Sequence, residues 1–475
     1  MYKAFLSFAI ICLCASSCGG AKQSAPPNIV LIMADDLGIR DLGCYGSDYY
    51  RTPNLDQLAE QGIKFTRAYT ASHVCSPTRA SMLTGRYPHR VRITDALPWD
   101  RLTENPKMIP PDHLKELPSE LPSFAKSLRE AGYRTAIFGK WHLGNEYNFF
   151  RQGGHMDYGF DEAFSGTSQE KKRDKSVDEL TDRSIEFLEA NQKGPFMLYL
   201  THHTPHVPLA SPPEDEALYN NIKKGRFQKN QKYAGMISHL DQSTKVILDK
   251  LTELGLDENT LVIFTSDNGS WGKISSNKPY RGSKGDLYEG GVRVPLLVRW
   301  PGHIVAGSVF DEPVFSTDYF PTFLELAGLN LMPDAHHDGQ SMLPIWNGKK
   351  RVEERTFFWH FPHRQNPASS VMEGDWKLVH NIVSNHYELF DLKNDPYEEN
   401  DCKSVYPEKT QRLSRLLEKH LQSIGAQRMR PNPEYNPSRP RGKQRSYGIY
   451  YWEAGGEFQP VKDPYPSWFK EGDNK

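Results

Sequence analysis

The chain of 475 residues is long enough for about two or three domains and a sizeable hydrophobic core. Its 58 Lys and Arg residues nearly balance its 59 Asp and Glu residues, so no overall field favours nucleic acid or an anionic membrane as a partner. With 36 Gly and 34 Pro residues beside 37% hydrophobic residues, the composition excludes a helical bundle and a disordered chain. It favours a loop-rich globular protein that binds or catalyses.

Residues 1–18 have the pattern of a secretory signal. Lys3 precedes an apolar run over residues 4–14, which is far shorter than the roughly 20 residues that span a bilayer. The sequence ASSCGG at residues 15–20 resembles a bacterial lipobox, although a large aliphatic residue is usual three positions before the cysteine. We therefore expect an exported protein, in the periplasm or anchored at the outer membrane through acylated Cys18. Ordinary cleavage and release is the alternative.

The cysteine count does not support a disulfide framework. Two of the six cysteines lie in the signal and one at its end, which leaves three in the mature chain: Cys44, Cys75 and Cys402. In any pairing one thiol is left over, and an unpaired cysteine in an oxidising compartment needs a reason.

Strand-length apolar runs alternate with segments of helical spacing through the first 348 residues. The predicted strands cover residues 28–34, 133–138, 196–201, 261–266 and 294–300. The predicted helices cover residues 55–62, 79–85, 121–131, 177–191 and 231–254. This alternation predicts an α/β catalytic domain over residues 27–348, with a mostly parallel sheet that helices cover.

The pattern changes from about residue 349. Short aromatic-rich strands at 356–361, 376–380 and 387–391 and an amphipathic helix at 407–424 predict a smaller antiparallel α+β subdomain over residues 349–430. Residues 431–475 are rich in Pro, Arg and Lys and predict an extended C-terminal tail, in which residues 447–452 are candidates to dock.

Two of the predicted strands end in pairs of oxygen-bearing side chains. Asp35 and Asp36 follow the first strand, and Asp267 and Asn268 follow the strand at 261–266. Adjacent carboxylates at the end of a buried strand repel each other and are costly to desolvate unless a cation is present. Each pair alone fits a cap or a turn. Together they predict a shared site for Ca²⁺ or Mg²⁺, which prefer oxygen ligands, at the carboxyl edge of the sheet.

A second feature is the segment around Cys75. Pro77 suits the first turn of a helix that Gly85 ends, which places Cys75 at a helix N-terminus, where backbone N–H groups favour an anion. Arg79, four residues on, lies on the same helix face. A buried inert cysteine beside a surface arginine would be the usual interpretation of an isolated pair, but the whole run from Cys75 to Arg86 is too specific for it.

This run resembles the signature of the type I sulfatases, the formylglycine-dependent members of the alkaline phosphatase superfamily. The resemblance covers residues 27–400 in the family's order and includes CSPTR at 75–79, GKWHLG at 139–144, TPHVP at 204–208, SDNG at 266–269, GSKG at 282–285 and YEGGVR at 288–293. It implies an alkaline phosphatase-like fold and a sulfuric ester hydrolase. It also implies that a formylglycine-generating maturation enzyme oxidises Cys75 to formylglycine.

The resemblance further implies the roles of single residues. The ligands of the cation, usually calcium in the family, would be Asp35, Asp36, Asp267, Asn268 and the modified Cys75. The other catalytic groups would be Arg79 beside the hydrated aldehyde, Lys140 and Lys284 on the sulfate oxygens, and His142 and His206 for the nucleophile and the leaving group. His202 and His203 stand close before His206 and are the alternatives to it.

The chemistry of these groups is consistent with sulfate ester hydrolysis. A hydrated formylglycine carries two hydroxyls on one carbon, so that one can attack sulfur and the other allows sulfate to be expelled later, an exit that a thiol or a simple alcohol lacks. The cation and the basic side chains stabilise the charge that builds on the sulfate oxygens, and an alcohol leaving group needs a proton from an acid such as His206.

The sequence says less about the substrate than about the reaction. The run at residues 357–364 supplies aromatic and cationic groups suited to a sulfated sugar, and we take His360, His363 and Arg364 as candidates for substrate binding. Sheet packing explains the aromatic residues equally well. The Lys- and Glu-rich segment at 169–178 is more simply a solvated loop than a rim of the cleft.

Exported sulfatases with such a signal resemble those that Bacteroidetes-type bacteria use on sulfated polysaccharides. We expect oligosaccharides of ulvan, carrageenan, other algal polysaccharides or glycosaminoglycans, and we favour them over steroid or aryl sulfates because no apolar membrane hairpin follows the signal. The alternatives are a phosphatase or phosphonate hydrolase of the same superfamily, or a non-catalytic sugar-binding protein in which Cys75 stays unmodified.

Overall fold

A computed structural model describes residues 26–460 except 99, 168–171, 347, 349–354, 365, 441, 443, 448–449 and 453–457. The predicted signal segment, Cys18 and part of the predicted loop at 169–178 lie outside the described residues. Within the described part of the chain, no helix combines the length and the apolarity that a membrane crossing requires.

The strands and helices follow in chain order. The strands are β1 Asn28–Ala34, β2 Ile63–Tyr69, β3 Asp100–Thr103, β4 Met108–Ile109, β5 Arg134–Gly139, β6 Glu162–Phe164, β7 Phe196–Thr201, β8 Thr260–Ser266, β9 Arg293–Arg299, β10 Ser308–Phe310, β11 Val314–Phe315, β12 Thr356–Phe361, β13 Ala368–Glu373, β14 Trp376–Asn381, β15 His386–Asp391, β16 Arg430–Pro431, β17 Gln444–Tyr447, β18 Tyr450–Trp452 and β19 Phe458–Pro460. The helices are α1 Pro53–Glu60, α2 Cys75–Thr84, α3 Pro88–Val91, α4 Phe124–Glu130, α5 Glu146–Arg151, α6 Val177–Ala190, α7 Pro213–Ala217, α8 Gln231–Glu253, α9 Glu289–Val292, α10 Tyr319–Leu326, α11 Leu343–Trp346 and α12 Pro407–Ser423.

A large mixed sheet forms the centre of the fold. Its strand order is β10-β2-β9-β8-β1-β7-β5-β6, with β11 also paired to β2. The five adjacent strands β6, β5, β7, β1 and β8 run parallel to one another. The next strand, β9, runs antiparallel to both of its neighbours, β8 and β2. A helix-covered, mostly parallel sheet is the predicted fold class, and the structure confirms it.

Burial on both faces explains why the central strands are continuously apolar. In β1, Ile29, Leu31 and Met33 belong to the hydrophobic core on one face of the sheet, and Val30 and Ile32 belong to the core on the other. Because side chains alternate along a strand, a strand that is covered on both faces has no position that faces solvent. All seven residues of β1 are buried.

The C-terminal part forms a second, antiparallel sheet in the order β12-β13-β14-β15. Helix α12 packs on it through Leu413, Leu417 and Leu421, four residues apart on one helix face. The core of this sheet also takes in Tyr87 and Phe315 from the first domain. Side chains of the first domain therefore complete the hydrophobic core of the second sheet.

Part of the predicted C-terminal tail returns to the first domain. β16 pairs antiparallel with β4, and β17 pairs antiparallel with β3. The Asn105 side-chain amide donates to the backbone oxygens of Asn436 and Arg439, at 2.8 and 3.1 Å. The tail thus pairs with backbone groups of the segment between α3 and α4, which need hydrogen-bond partners.

Among the strands that the sequence analysis missed are β2 and β13. In β2, the buried residues Ile63, Phe65 and Ala68 are separated by partly exposed polar ones, so the strand has no continuous apolar run. A register shift between Phe65 and Ala68 also interrupts the alternation of buried and partly exposed residues, so a simple period of two does not mark the strand either.

A buried ionic network ties the second sheet to the first domain. The Lys377 ammonium on β14 lies 2.8 Å from Glu289 Oε1 and 2.9 Å from Glu398 Oε1, and all three side chains are fully buried. The Tyr69 hydroxyl donates to Glu289 Oε2 at 2.9 Å. The burial penalty for these charges is offset only while each keeps its partners.

Lys377→Met would leave Glu289 and Glu398 buried without their shared cation. We expect the free energy of unfolding to fall by about 3 to 5 kcal/mol, because removing one member of a buried pair leaves the other uncompensated. Arg412→Gln, which removes an exposed ion pair with Glu373, should change it by less than about 1 kcal/mol. Urea denaturation measures both losses, and equal losses would contradict the role given to the buried network.

Candidate active site

The two acidic pairs meet because their strands are neighbours in register. Ala34 at the end of β1 lies opposite Ser266 at the end of β8. The Asp36 backbone N–H therefore donates to Asp267 Oδ1 at 3.1 Å. The Asn268 side-chain amide donates to Asp36 Oδ1 at 2.7 Å. Parallel neighbours thus bring both pairs to one edge of the sheet, where the sequence predicted a shared site.

Cys75 is the first residue of α2, directly above this edge. Gly85 ends the helix in the left-handed conformation at a φ of 65°, and every residue between them is buried. Cys75 belongs to a small buried cluster with Val74, Ala96 and Phe361. Burial alone would raise the pKa of the Cys75 thiol, but the nearby Lys140 and Lys284 ammonium groups lower it below its usual value.

Arg79 connects α2 to two strand ends. Its Nε and Nη2 lie 2.9 and 2.8 Å from Asp267 Oδ2, and its Nη1 donates to the Lys140 carbonyl at 2.9 Å. The guanidinium is almost fully buried, so the paired charges hold each other in place.

Two lysines reach the same group of carboxylates from different elements. Lys140 Nζ lies 2.6 Å from Asp35 Oδ2, and Lys284 Nζ lies 2.6 Å from Asp36 Oδ1. Burial would lower the pKa of each lysine, but the carboxylates outweigh it and hold both values above the usual one. Both side chains are therefore cationic.

The backbone next to Lys140 depends on a glycine. Gly139 has a φ of 111°, and a Cβ atom there would lie 1.8 Å from the Thr201 carbonyl. Because β5 approaches β7 this closely, the Lys140 N–H can donate to Thr201 O at 2.7 Å. The glycine of the GKWHLG run thus fixes where the lysine leaves the sheet.

The structure brings two histidines to the site. His142 Nε2 lies 2.7 Å from the Leu97 carbonyl, while His142 Nδ1 is buried and has no hydrogen-bond partner. His206 Nδ1 lies 2.5 Å from the Val207 carbonyl, and its Nε2 lies 3.6 Å from Asp36 Oδ2.

The other two histidines of that loop lie elsewhere. His203 Nε2 contacts the Ser165 carbonyl at 2.9 Å, and the His202 ring is fully buried, with His239 and Asp174 as the charged groups that affect its pKa. Of the three histidines that the sequence left open, only His206 contacts the carboxylate cluster.

The oxygen-bearing groups fit a hard divalent cation. Asp35 Oδ1 and Asn268 Oδ1 are buried without a hydrogen-bond partner, although each residue uses its other polar atom. Asp35, Cys75 and Asp267 each offer a ligand atom within 4.8 Å of the other two. Carboxylate and amide oxygens suit Ca²⁺ or Mg²⁺, whereas a thiol does not, so an oxygen at position 75 would complete the set better than sulfur.

The carboxylates also need positive charge. Burial, followed by the Asp35 carboxylate, raises the pKa of Asp267 above its usual value, although the Arg79 and Lys140 cations oppose this. A cation among these oxygens would keep both carboxylates ionised. The residues therefore fit the cation that the resemblance implies.

The three candidate substrate-binding residues divide into two groups. Arg364 Nη2 lies 2.6 Å from Asp95 Oδ1, and His363 Nε2 lies 2.8 Å from the Thr94 hydroxyl. Both partners belong to the segment that contains Ala96, a member of the same buried cluster as Cys75. Arg364 and His363 thus border the site.

His360 does not border it. Its ring nitrogens contact Ser369 Oγ at 2.6 Å and the Gln427 carbonyl at 2.9 Å, and it lies on the face of β12 opposite to Phe361. The structure therefore places His360 in a packing position within the second sheet, and the expectation that it binds substrate is not supported by this position.

Sequence reasoning missed the segment at residues 94–97. Asp95 is buried beside Arg364, and Leu97 offers its carbonyl to His142 and its N–H to Ser76 Oγ at 3.0 Å. The segment has no recognisable motif, and only its position in space connects it with the site. The sequence cannot identify a backbone carbonyl acceptor, because every residue has a carbonyl group.

An α/β fold whose sheet edge gathers carboxylates, two lysines and an arginine around one cysteine defines a hydrolase of anionic esters. A family model described as Sulfatase matches residues 27–329, and a second one, described as N-sulphoglucosamine sulphohydrolase, C-terminal, matches residues 283–427. The chain belongs to the sulfatase family, and it is a sulfuric ester hydrolase.

Several characterised proteins are similar to this chain. Human (Homo sapiens) steryl-sulfatase is 30% identical over 72% of this chain and 73% of its own length. Mouse (Mus musculus) N-acetylgalactosamine-6-sulfatase is 31% identical over 78% and 75%. The crystal structure of Ps i-CgsB in complex with k-i-k-neocarrahexaose is 30% identical, with a TM-score of 0.72, over 83% of this chain and 92% of that one.

Asp267→Asn should remove the bound cation, because the variant replaces a carboxylate that faces Asp35 and Cys75 with a weaker, neutral ligand. Elemental analysis of the purified protein should find about one equivalent of calcium or magnesium in the parent and little in the variant. Asp257→Asn, before the other end of β8, is the matched control and should keep the metal. Unchanged metal content in Asp267→Asn would remove this residue from the ligand set.

Proposed function

We propose that this sulfatase hydrolyses sulfate esters of carbohydrates, on oligosaccharides from sulfated algal polysaccharides or glycosaminoglycans. The observation that carries the proposal is the convergence of Cys75, Arg79, Lys140 and Lys284 on one carboxylate cluster. The carbohydrate substrate is supported by the match of the C-terminal region to a sulphoglucosamine sulphohydrolase and by the similarity to Ps i-CgsB, which was crystallised with k-i-k-neocarrahexaose.

The nucleophile of the proposed reaction derives from Cys75. Its oxidation to formylglycine supplies a hydrated aldehyde, in which one hydroxyl attacks sulfur and the other permits later release of sulfate. Asp35, Asp36, Asp267 and Asn268 would hold a calcium or magnesium ion, which would stabilise charge on that nucleophile and on the sulfate oxygens.

The basic side chains bind the sulfate group. Lys140 and Lys284 approach different carboxylates of the cluster, and the pKa of each is held above its usual value. Both can bind nonbridging oxygens as charge develops there. Backbone bonds preorganise Lys284, whose N–H donates to Ser270 O at 3.0 Å. Arg79 stays paired with Asp267 and holds the first turn of α2 against the strand ends.

His142 and His206 serve different proton transfers, one at the nucleophile and one at the leaving group. With its Nε2–H directed at Leu97 O, His142 has a bare Nδ1, and burial together with Lys140 lowers its pKa to about 3. It therefore stays neutral at ordinary pH and can accept the proton of the nucleophile. Because its Nδ1–H is directed at Val207 O, His206 turns Nε2 toward the site. Nε2 can donate a proton to the leaving alcohol when the ring is an imidazolium, a form that burial disfavours and the Asp35 and Asp36 carboxylates favour.

The Asp95–Arg364 pair is suited to the sugar itself. The Arg364 guanidinium is partly exposed, whereas the Asp95 carboxylate that pairs with it is buried. The carboxylate can hold the guanidinium in place while its exposed part donates to a hydroxyl of a sugar ring. Arg364 also has a φ of 60°, a conformation that is strained for a residue with a Cβ and is often found at functional sites.

Maturation and location are proposed from the sequence. A formylglycine-generating enzyme would act on the CSPTR run before folding, because Cys75 is buried in the folded chain. The signal-like N-terminus supports export to the periplasm or anchoring at the outer membrane through Cys18.

The proposed reaction is tested by sulfate release from ulvan, carrageenan and glycosaminoglycan oligosaccharides, with protein produced together with a formylglycine-generating enzyme. We expect release from one of these classes and none from folded Cys75→Ala, because the variant lacks the nucleophile. Ion chromatography measures sulfate, and peptide mass spectrometry verifies the modification. Activity of Cys75→Ala near that of the parent would overturn the mechanism, and faster release of phosphate from phosphate esters would favour the phosphatase alternative.

Arg364→Ala should lower kcat/KM for the preferred sulfated sugar by about 10- to 100-fold, the usual effect of losing a charged hydrogen bond. Turnover of a small aryl sulfate, which has no ring hydroxyls to bind, should change much less. Asp95→Asn should give the same selective loss, and Arg428→Ala, on the exposed surface, should give none. Equal losses on both kinds of substrate would assign the pair to the fold instead of the sugar.

A further inference from the structure

We propose that an exposed group of lysines and arginines beside the active site binds sulfate groups on sugar residues other than the one being hydrolysed. This inference rests on the proposed carbohydrate substrate and makes that substrate a chain with several sulfate groups. The basic patch, as we call it, consists of Lys223, Lys224, Arg226, Lys229, Lys232, Lys273 and Lys278.

The basic patch concentrates positive charge in a protein that is almost neutral overall. Its residues come from segments 221–232 and 269–280, which contain seven Lys and Arg residues and no Asp or Glu, whereas the whole chain has a formal charge of −1. All seven side chains are exposed. Among the described residues, only Lys232 is near enough to a carboxylate to form an ion pair, at 3.9 Å from Glu216.

The two segments contact each other and the catalytic edge. The Asn230 side-chain amide donates to the Ile274 carbonyl at 3.4 Å, which joins one segment to the other. The second segment follows the proposed ligand Asn268 directly, and Ser270 O accepts the Lys284 N–H at 3.0 Å. The basic patch is therefore continuous with the edge of the sheet at which the sulfate ester is bound.

The acidic residues near the basic patch accept hydrogen bonds from the two loops that carry it. The Asp48 carboxylate accepts the backbone N–H groups of Arg226 and Phe227, at 2.6 and 3.2 Å. Asp41 is fully buried and accepts the Ser275 hydroxyl at 2.8 Å. These contacts hold the loops by their backbone and buried side chains and leave the long cationic side chains in solvent.

Two aromatic rings accompany the cations. The Arg226 guanidinium lies 4.9 Å from the centre of the Phe227 ring, and Lys273 Nζ lies 5.3 Å from the centre of the Trp271 ring. Both rings are partly exposed. Apolar ring faces for sugars beside charged donors for sulfate are the two kinds of contact that a sulfated saccharide needs.

The patch predicts a dependence on substrate length and salt. A small aryl sulfate would occupy the catalytic site alone, whereas a longer sulfated chain would also reach the patch and associate faster. Since the patch is exposed, salt should screen this advantage within a Debye length of about 8 Å at physiological ionic strength.

The test replaces Lys223, Lys224, Arg226 and Lys229 together by glutamine, a fourfold variant that leaves the catalytic residues intact. Its control replaces four exposed cations by glutamine elsewhere, namely Lys193, Lys393, Arg415 and Lys419. Binding is measured in a Cys75→Ala background, with iota-carrageenan oligosaccharides of two to eight sugar residues and with 4-nitrophenyl sulfate. The background makes the result independent of whether the proposed reaction occurs on these compounds.

We expect the patch variant to bind the longest oligosaccharide about tenfold more weakly than the control at low ionic strength. The difference should shrink as sugar residues are removed or salt is added, and 4-nitrophenyl sulfate should bind both proteins equally. Equal binding of all oligosaccharides by the two variants would overturn the proposal. So would selective loss of binding to vesicles of anionic phospholipid with carrageenan binding unchanged, because that would assign the patch to a membrane surface.

Discussion

The repulsion among buried carboxylates at the carboxyl edge of the sheet is the constraint on which the rest of the site depends. Asp35, Asp36 and Asp267 follow two neighbouring strands and lie within a few ångströms of one another with almost no solvent to screen them. Each must be balanced by a cation. Arg79 and Lys140 therefore have a structural role, because they neutralise the buried carboxylates at this edge. They also have a chemical role, because they present positive charge to a sulfate.

The same edge is closed by elements that are distant in the chain. The segment with Asp95 and Leu97 forms one wall, Phe361 and Arg364 of the second sheet form the next, and strands of the C-terminal tail pair with the backbone that follows that segment. Apolar contacts with Tyr87 and Phe315 and the buried Lys377 network join the second sheet to the first domain. The site is thus bordered by residues of both sheets.

The cations of this protein fall into two groups, one buried at the catalytic edge and one exposed on the surface. Buried cations at the catalytic edge, such as Lys140, are paired with carboxylates at short distance, whereas those of the basic patch, such as Lys224, are exposed and unpaired by nearby acids. Buried pairs are hardly screened by salt and can fix geometry, and exposed charges act over a Debye length and can attract a polyanion. One near-neutral chain can therefore provide both rigid sulfate recognition and longer-range attraction.

The sequence by itself determined the local chemistry and the fold class. Apolar runs such as Asn28–Ala34 ended where the strands end, and the acidic pairs, Cys75 and the lysine motifs could be assigned because each is contiguous in the chain. Only the tertiary structure decided that His206 reaches the cluster, that His360 lies within the second sheet, and that Asp95 pairs with Arg364. These outcomes depend on which face of a strand or loop meets which neighbour, and that is set by long-range packing that leaves no local pattern in the sequence.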